Sequence, residues 1–133
     1  MIHLIPVAHC HAAWHLVEGH LEKSVAQSNG DVSLDEIKLK LLDGTWLLYL
    51  VVDECEDVLG CYVVSIYNRI NDRVAYIVAI AGAIVKKDLF VQMIGCLKEQ
   101  DITAIEGDVR TSVARLLNRL GFINKSVKTY FKI

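Results

Sequence analysis

The sequence predicts an α/β fold of the α+β kind: one mixed, mostly antiparallel sheet with helices on both faces. Three observations carry this reading. Along the 133 residues the apolar spacing switches repeatedly between a period near two, typical of strands, and one near 3.6, typical of helices. Three apolar runs follow one another at 45–52, 60–67 and 73–81, joined only by short polar turns, which is the pattern of an antiparallel meander. A helical segment then separates the third run from a fourth at 102–109, and a strand-helix-strand crossover sets its two strands parallel.

Each element has its own local reason. Residues 2–7 read as a short apolar strand ending near Pro6, where a missing N–H is tolerated at an edge. From about residue 8 to 28, Trp14, Val17, Leu21 and Val25 recur every three or four residues, as an amphipathic helix requires, and Asn29-Gly30-Asp31 stops it. Ser33-Leu34-Asp35-Glu36 is a capping box, followed by Leu34, Ile37 and Leu41 on one face and closed by Gly44. The three meander strands come next, with an acidic turn from Asp53 to Asp57 and an Asn71-Asp72 turn between them. Asp88 is expected to cap a helix carrying Phe90, Met93, Ile94 and Leu97 and ending near Gln100. Val113, Leu116, Leu117 and Leu120 repeat that spacing up to Gly121, a C-terminal cap. Val127, Thr129, Phe131 and Ile133 alternate with Lys128, Tyr130 and Lys132, which reads as a half-exposed last strand with lysines guarding its edge. The expected order is β-α-α-β-β-β-α-β-α-β over residues 1–133 as one domain.

Composition narrows the function classes. With 53% hydrophobic residues the chain can bury enough surface to offset its ordering entropy, which excludes a disordered chain, and its length allows one ordinary core. The longest small-and-apolar stretch, residues 76–85, falls far short of the roughly twenty residues that span a bilayer. A formal charge of −2 gives no long-range attraction for polyphosphates, so general nucleic-acid binding is not expected. Cys10, Cys55, Cys61 and Cys96 form no CxxC pair, and no charged segment precedes an apolar one at the start, which reads as a reducing, intracellular setting with free thiols.

The order of elements, and Val113-Ala114-Arg115-Leu116-Leu117-Asn118-Arg119-Leu120-Gly121-Phe122 as a late helix running into a Gly-Phe turn, resemble the GNAT superfamily of N-acetyltransferases over essentially the whole chain. A narrower likeness is to small GNAT-like proteins that tailed bacteriophages encode beside virion genes. It rests on His20-Leu21-Glu22-Lys23-Ser24, the 34–44 helix, Trp46-Leu47-Leu48, Ala81-Gly82 and Glu106-Gly107-Asp108-Val109-Arg110. The resemblance implies a sheet whose fourth strand, residues 76–80, offers its backbone to the pantetheine of acetyl-CoA, through Val78, Ala79 and Ile80, with the strand at 102–106 splayed from it. It also implies a phosphate-binding loop and helix start, here Gly82, Lys86 and Lys87.

Two devices of active members depart from the pattern. The stretch Ala81-Gly82-Ala83-Ile84-Val85-Lys86-Lys87-Asp88 lacks the Gln/Arg-x-x-Gly-x-Gly/Ala loop, puts bulky Ile84 and Val85 where a backbone nest needs small residues, and starts its helix with an anion-repelling Asp88. Five residues before Phe122, where a tyrosine commonly returns a proton to the thiolate, stands Leu117, and Arg110 begins the late helix where many members carry asparagine. Two functions therefore stay open: a phage-type GNAT fold kept as a virion-associated or accessory interaction module without cofactor, or a small N-acetyltransferase using acetyl-CoA. The implied partners are phage or host proteins or a second copy, in the host cytoplasm or within a virion.

Glu106 and Asp108 alternate on one face of the fifth strand where an acceptor amine would approach, and either carboxylate could serve as general base; the plainer reading is a strand end emerging into solvent. Tyr62 and Tyr76 could line the same cleft or simply fill core. His11, His15 and Glu18 share a helix face in metal-ligand order, but they also make an ordinary polar face opposite Trp14, Val17 and Leu21, and no metal is assigned.

Overall fold

The computed structural model describes residues 1–26, 32–82, 86–108, 111–127 and 129–133. The expected helix stop at 29–31, the apolar loop at 83–85, Arg110 and Lys128 lie outside them. Strand β1 (Ile2–Ile5) ends at Pro6, whose fixed φ of −56° directs the chain into a 3-10 turn at Val7–His9 and then helix α1 (Cys10–Ala26). Helix α2 (Leu34–Leu42) starts at Ser33, whose Oγ accepts the Glu36 amide at 3.1 Å. It ends at Gly44, which takes a φ of +81°. We expect Ser33→Ala to lower stability by about 1 kcal/mol, read as a shift of the urea midpoint, because one helix amide loses its acceptor.

Strands β2 (Trp46–Val52), β3 (Val58–Asn68) and β4 (Arg73–Gly82) form the meander, and helix α3 (Lys87–Lys98) crosses over to β5 (Ala104–Glu106), parallel to β4. Helix α4 (Thr111–Asn118) follows, and past its end Gly121 adopts a φ of +104° while the Phe122 amide donates to the Leu117 carbonyl. The sheet order is β1-β2-β3-β4-β5, every contact antiparallel except β4 with β5.

The meander strands read as nearly continuous apolar runs because both faces of the sheet are covered. Leu48, Leu50, Cys61, Val63 and Ala79 face α1 and α2, where Trp14, Val17, Leu21, Ile37 and Leu41 complete one core layer. Tyr49, Val51, Tyr62, Val64 and Ala75 face the other way, onto Leu89, Met93 and Leu97 of α3. The stripes expected of the first two helices are thus the buried ones.

Three expectations are corrected. Asp88 is not the cap of α3: Lys86 holds that position without a side-chain hydrogen bond, and Asp88 lies inside the first turn, where its charge still favours the helix dipole. The buried face of α3 is Leu89, Met93 and Leu97, spaced by four, which leaves Phe90 at the flank with its ring 5.2 Å from that of Phe122. The last strand is absent among the described residues: 122–127 and 129–133 are irregular, and all but the half-buried Phe122 are exposed. An alternating sequence becomes a strand only when an adjacent edge supplies its ladder, and β5 offers only three paired residues.

Candidate functional site

The ladder between β4 and β5 has three rungs, Val74 with Ala104, Ala75 with Ile105 and Tyr76 with Glu106. Gly107 stays close to β4, since a Cβ built on it would meet the Ile77 Cβ at 3.6 Å. From there β4 continues to Gly82 with no β5 partner among the described residues, and this is where the described ladder parts. The parting coincides with a bulge. Opposite Val63 and Val64 of β3 stand Ala79 and Ile77, leaving Val78 as the extra residue. Val78 and Ala79 consequently both pack toward α1 and α2, and Ile80 toward α3. A bulge of this kind breaks the regular alternation and re-aims the backbone groups beside it.

One of those groups is already engaged: the Ile80 carbonyl accepts a hydrogen bond from Ser24 Oγ of α1 at 3.1 Å. Gly82 is also committed within the fold. It has a φ of +92° and lies opposite Gly60, and a Cβ on it would stand 2.2 Å from the Leu59 carbonyl oxygen. Lys86 and Lys87 are exposed at the start of α3, with exposed Asp88 next to them. Among the described residues, then, β4 beyond Tyr76 runs without a β5 partner, and the stretch 83–85, where the resemblance would put a pyrophosphate cradle, lies outside them.

The two carboxylates lie at the mouth of the parting, each with a tyrosine. Glu106 accepts a hydrogen bond from the Tyr67 hydroxyl at the end of β3, and its other oxygen is 2.5 Å from Arg69 Nη1. Arg69 closes the triangle: Nη2 donates to the Tyr67 oxygen at 2.8 Å, and the guanidinium lies 5.3 Å over the same ring. Accepting that proton, Glu106 holds the Tyr67 phenol above its usual range, with partial burial and the carboxylate charge adding to the effect and Arg69 opposing it. Asp108 Oδ2 accepts from the Tyr76 hydroxyl at 2.6 Å on an exposed part of the surface. Tyr62 is elsewhere, buried in the layer under α3, where burial pushes its phenol up to about 12.

Tyr67 and Arg69 were not legible as site residues. They sit two apart at a hairpin mouth, and nothing local marks them as partners of a carboxylate more than thirty residues away. Leu117 is half-buried in α4, its carbonyl accepting the amides of Leu120 and Phe122. His11, His15 and Glu18 are exposed on α1, and no three His, Cys, Asp or Glu side chains among the described residues come together as a metal site. No described helix is long and apolar enough to cross a membrane.

No protein-family model matches the sequence, and no curated protein does. Solved structures do match over the full chain. A probable acetyltransferase superposes with a TM-score of 0.69 at 16% identity, covering 100% of this chain and 97% of its own. An aminoglycoside acetyltransferase from an uncultured soil metagenomic sample, solved with sisomicin, gives 0.69 at 10% identity, covering 100% and 95%. An aminoglycoside 6'-N-acetyltransferase from Acinetobacter haemolyticus gives 0.68 at 18%, covering 100% and 97%. This chain has the fold of those acetyltransferases, and identities this low speak for fold alone.

Proposed function

We propose that this chain is an acetyltransferase fold of the bacteriophage type used as an interaction module rather than as an acyltransferase. The observation that carries this reading is the engagement of Glu106: one of the two carboxylates that could serve as a general base is ion-paired to Arg69 and hydrogen-bonded to Tyr67. A base in that state must break a charge-assisted contact before it can take a proton. The eroded loop sequence before α3, Leu117 in place of a tyrosine, and the commitment of Gly82 to β3 point the same way. The phage-type resemblance makes virion or host proteins the expected partners.

A second reading has one specific observation in its favour. The early end of the β4–β5 ladder and the bulge at Val78 leave backbone open where an acyl-CoA could pair. In that reading the Val78–Ile80 backbone would hold the pantetheine, Lys86 and Lys87 would meet the phosphates, and Asp108 with Tyr76 would be the nearest proton-handling pair.

Calorimetric titration with acetyl-CoA separates the two. The interaction-module reading expects no heat of binding at millimolar cofactor, and a dissociation constant in the micromolar range would overturn it. If binding is seen, Lys86→Ala with Lys87→Ala should weaken it about tenfold or more, and an unchanged affinity would mean the phosphates lie elsewhere.

A further inference from the structure

Tyr49 stands in the middle of β2, opposite Leu4 of β1, and is only 1% exposed. Its hydroxyl is closed off from solvent and has no hydrogen-bond partner among the described residues. Leaving a buried hydroxyl unpaired is costly, so such a group marks a place where a partner belongs. Tyr49 lines a cavity of about 230 Å³, walled by Ile2, His3 and Leu4 of β1 and by Cys96, Glu99 and Gln100 at the end of α3. Since β1 is the edge of the sheet opposite β5, this cavity is separate from the β4–β5 opening.

The lining selects a cation. Its one carboxylate, the exposed Glu99, makes no ion pair among the described residues. Cys96, Glu99 and Gln100 also belong to the C-terminal end of α3, where the helix dipole is negative. That side of the cavity already acts on Tyr49, whose phenol is pushed up to about 12 by burial first and then by Cys96 and Glu99. No lysine or arginine lines the cavity, and the Met1 ammonium at the start of β1 is given to the Val52 carbonyl at 2.8 Å. A metal ion does not suit the site, because no three His, Cys, Asp or Glu side chains come together among the described residues. An ammonium group asks only for acceptors, and its N–H donors match a carboxylate, a phenol oxygen and an amide oxygen. The volume takes several heavy atoms but falls short of the roughly 300–1,000 Å³ of drug-sized sites.

We propose that this cavity binds a small primary ammonium, a short protonated alkylamine, with its head against Glu99 and Tyr49 and its carbon chain along Ile2 and Leu4. The bound head gives the Tyr49 hydroxyl the partner that the chain alone does not supply. The inference is independent of whether the β4–β5 opening takes a cofactor.

The probe is butylammonium chloride titrated into the 15N-labelled full chain, with butan-1-ol and potassium chloride as controls at equal concentration. Saturating amide shifts confined to the surroundings of residues 2–4, 49 and 96–100 are expected at millimolar probe, with a rise of the urea midpoint that neither control gives. Glu99→Gln should weaken binding about tenfold or more. Tyr49→Phe should weaken it too, yet raise the urea midpoint of the unliganded chain, because the unpaired hydroxyl is gone. No saturating shift at tens of millimolar, an equal response to either control, or an unchanged affinity in Glu99→Gln would each overturn the proposal. So would a midpoint for unliganded Tyr49→Phe at or below that of the parent, which would mean the hydroxyl is already satisfied.

Discussion

Gly82→Ala is expected to cost about 3 kcal/mol or more, a large part of the 5–15 kcal/mol that holds a domain of this size together. A methyl group at residue 82 would lie 2.2 Å from the Leu59 carbonyl oxygen and 2.7 Å from the Gly60 Cα, both backbone atoms that cannot swing aside. The φ of +92° adds strain that any L side chain would feel. Relief requires β3 and β4 to move apart at the last rung of their ladder, where Gly60 stands opposite Gly82. Urea unfolding followed by circular dichroism checks this, and a midpoint equal to that of the parent would show that the strands do not approach so closely. The same substitution is a poor probe of cofactor binding, because loss of the fold would be read as loss of a ligand contact.

Stability is expected to fall steeply between about pH 9 and pH 12, and Cys61 is the main cause. Its thiol is fully buried between the sheet and α1, and burial pushes it from the ordinary 9.0 up to about 12. In the unfolded chain the thiol deprotonates near pH 9, while in the folded chain it keeps its proton to about 12. Across that window the unfolded state binds fewer protons, so stability drops as pH rises, by up to about 1.4 kcal/mol per pH unit for this one group. Burial likewise raises Tyr49 and Tyr62 to about 12, with Cys96 and Glu99 close to Tyr49 adding to its shift, and these two phenols steepen the fall above pH 10. Tyr49 has a further cost, a buried hydroxyl without a hydrogen-bond partner among the described residues. Urea midpoints from pH 7 to 11 test the prediction, with Cys61→Ala expected to flatten the first part of the decline. A midpoint constant up to pH 11 would contradict it.

Much of the fold is legible in the sequence because its signals are local. Trp14, Val17 and Leu21 recur at helical spacing and are the buried face of α1; Ser33 Oγ accepts the Glu36 amide, the serine half of the cap that their spacing implies. The meander is readable from three apolar runs and two polar turns. Where sequence reasoning fails, a non-local partner decides. Phe90 belongs to the expected face of α3 by periodicity but lies at its flank, because Phe122, thirty-two residues on, offers it a ring contact. Gly82, which the resemblance puts in a phosphate loop, also lets β4 approach Leu59 and Gly60, and that second role is visible only in the fold.

The candidate site divides in the same way. The departure of residues 81–88 from the loop pattern and the leucine at 117 are facts of the sequence, and they belong to the argument for the interaction-module reading proposed above. Glu106 and Asp108 are recognisable as carboxylates near a strand end, but their states are not. Only the folded chain brings Tyr67 and Arg69 to Glu106 and Tyr76 to Asp108, across 39 and 32 residues.

By itself, then, the sequence determined the element order as far as the last helix, the two-faced burial of the sheet and the departures from the loop and tyrosine pattern, because each is written in residue type and spacing over one or two turns of chain. The tertiary structure alone decided where β4 parts from β5, which groups occupy the carboxylates at that opening, and that the alternating C-terminal segment has no strand beside it. These depend on which distant backbone supplies a ladder or a counter-charge, and periodicity carries no information about that.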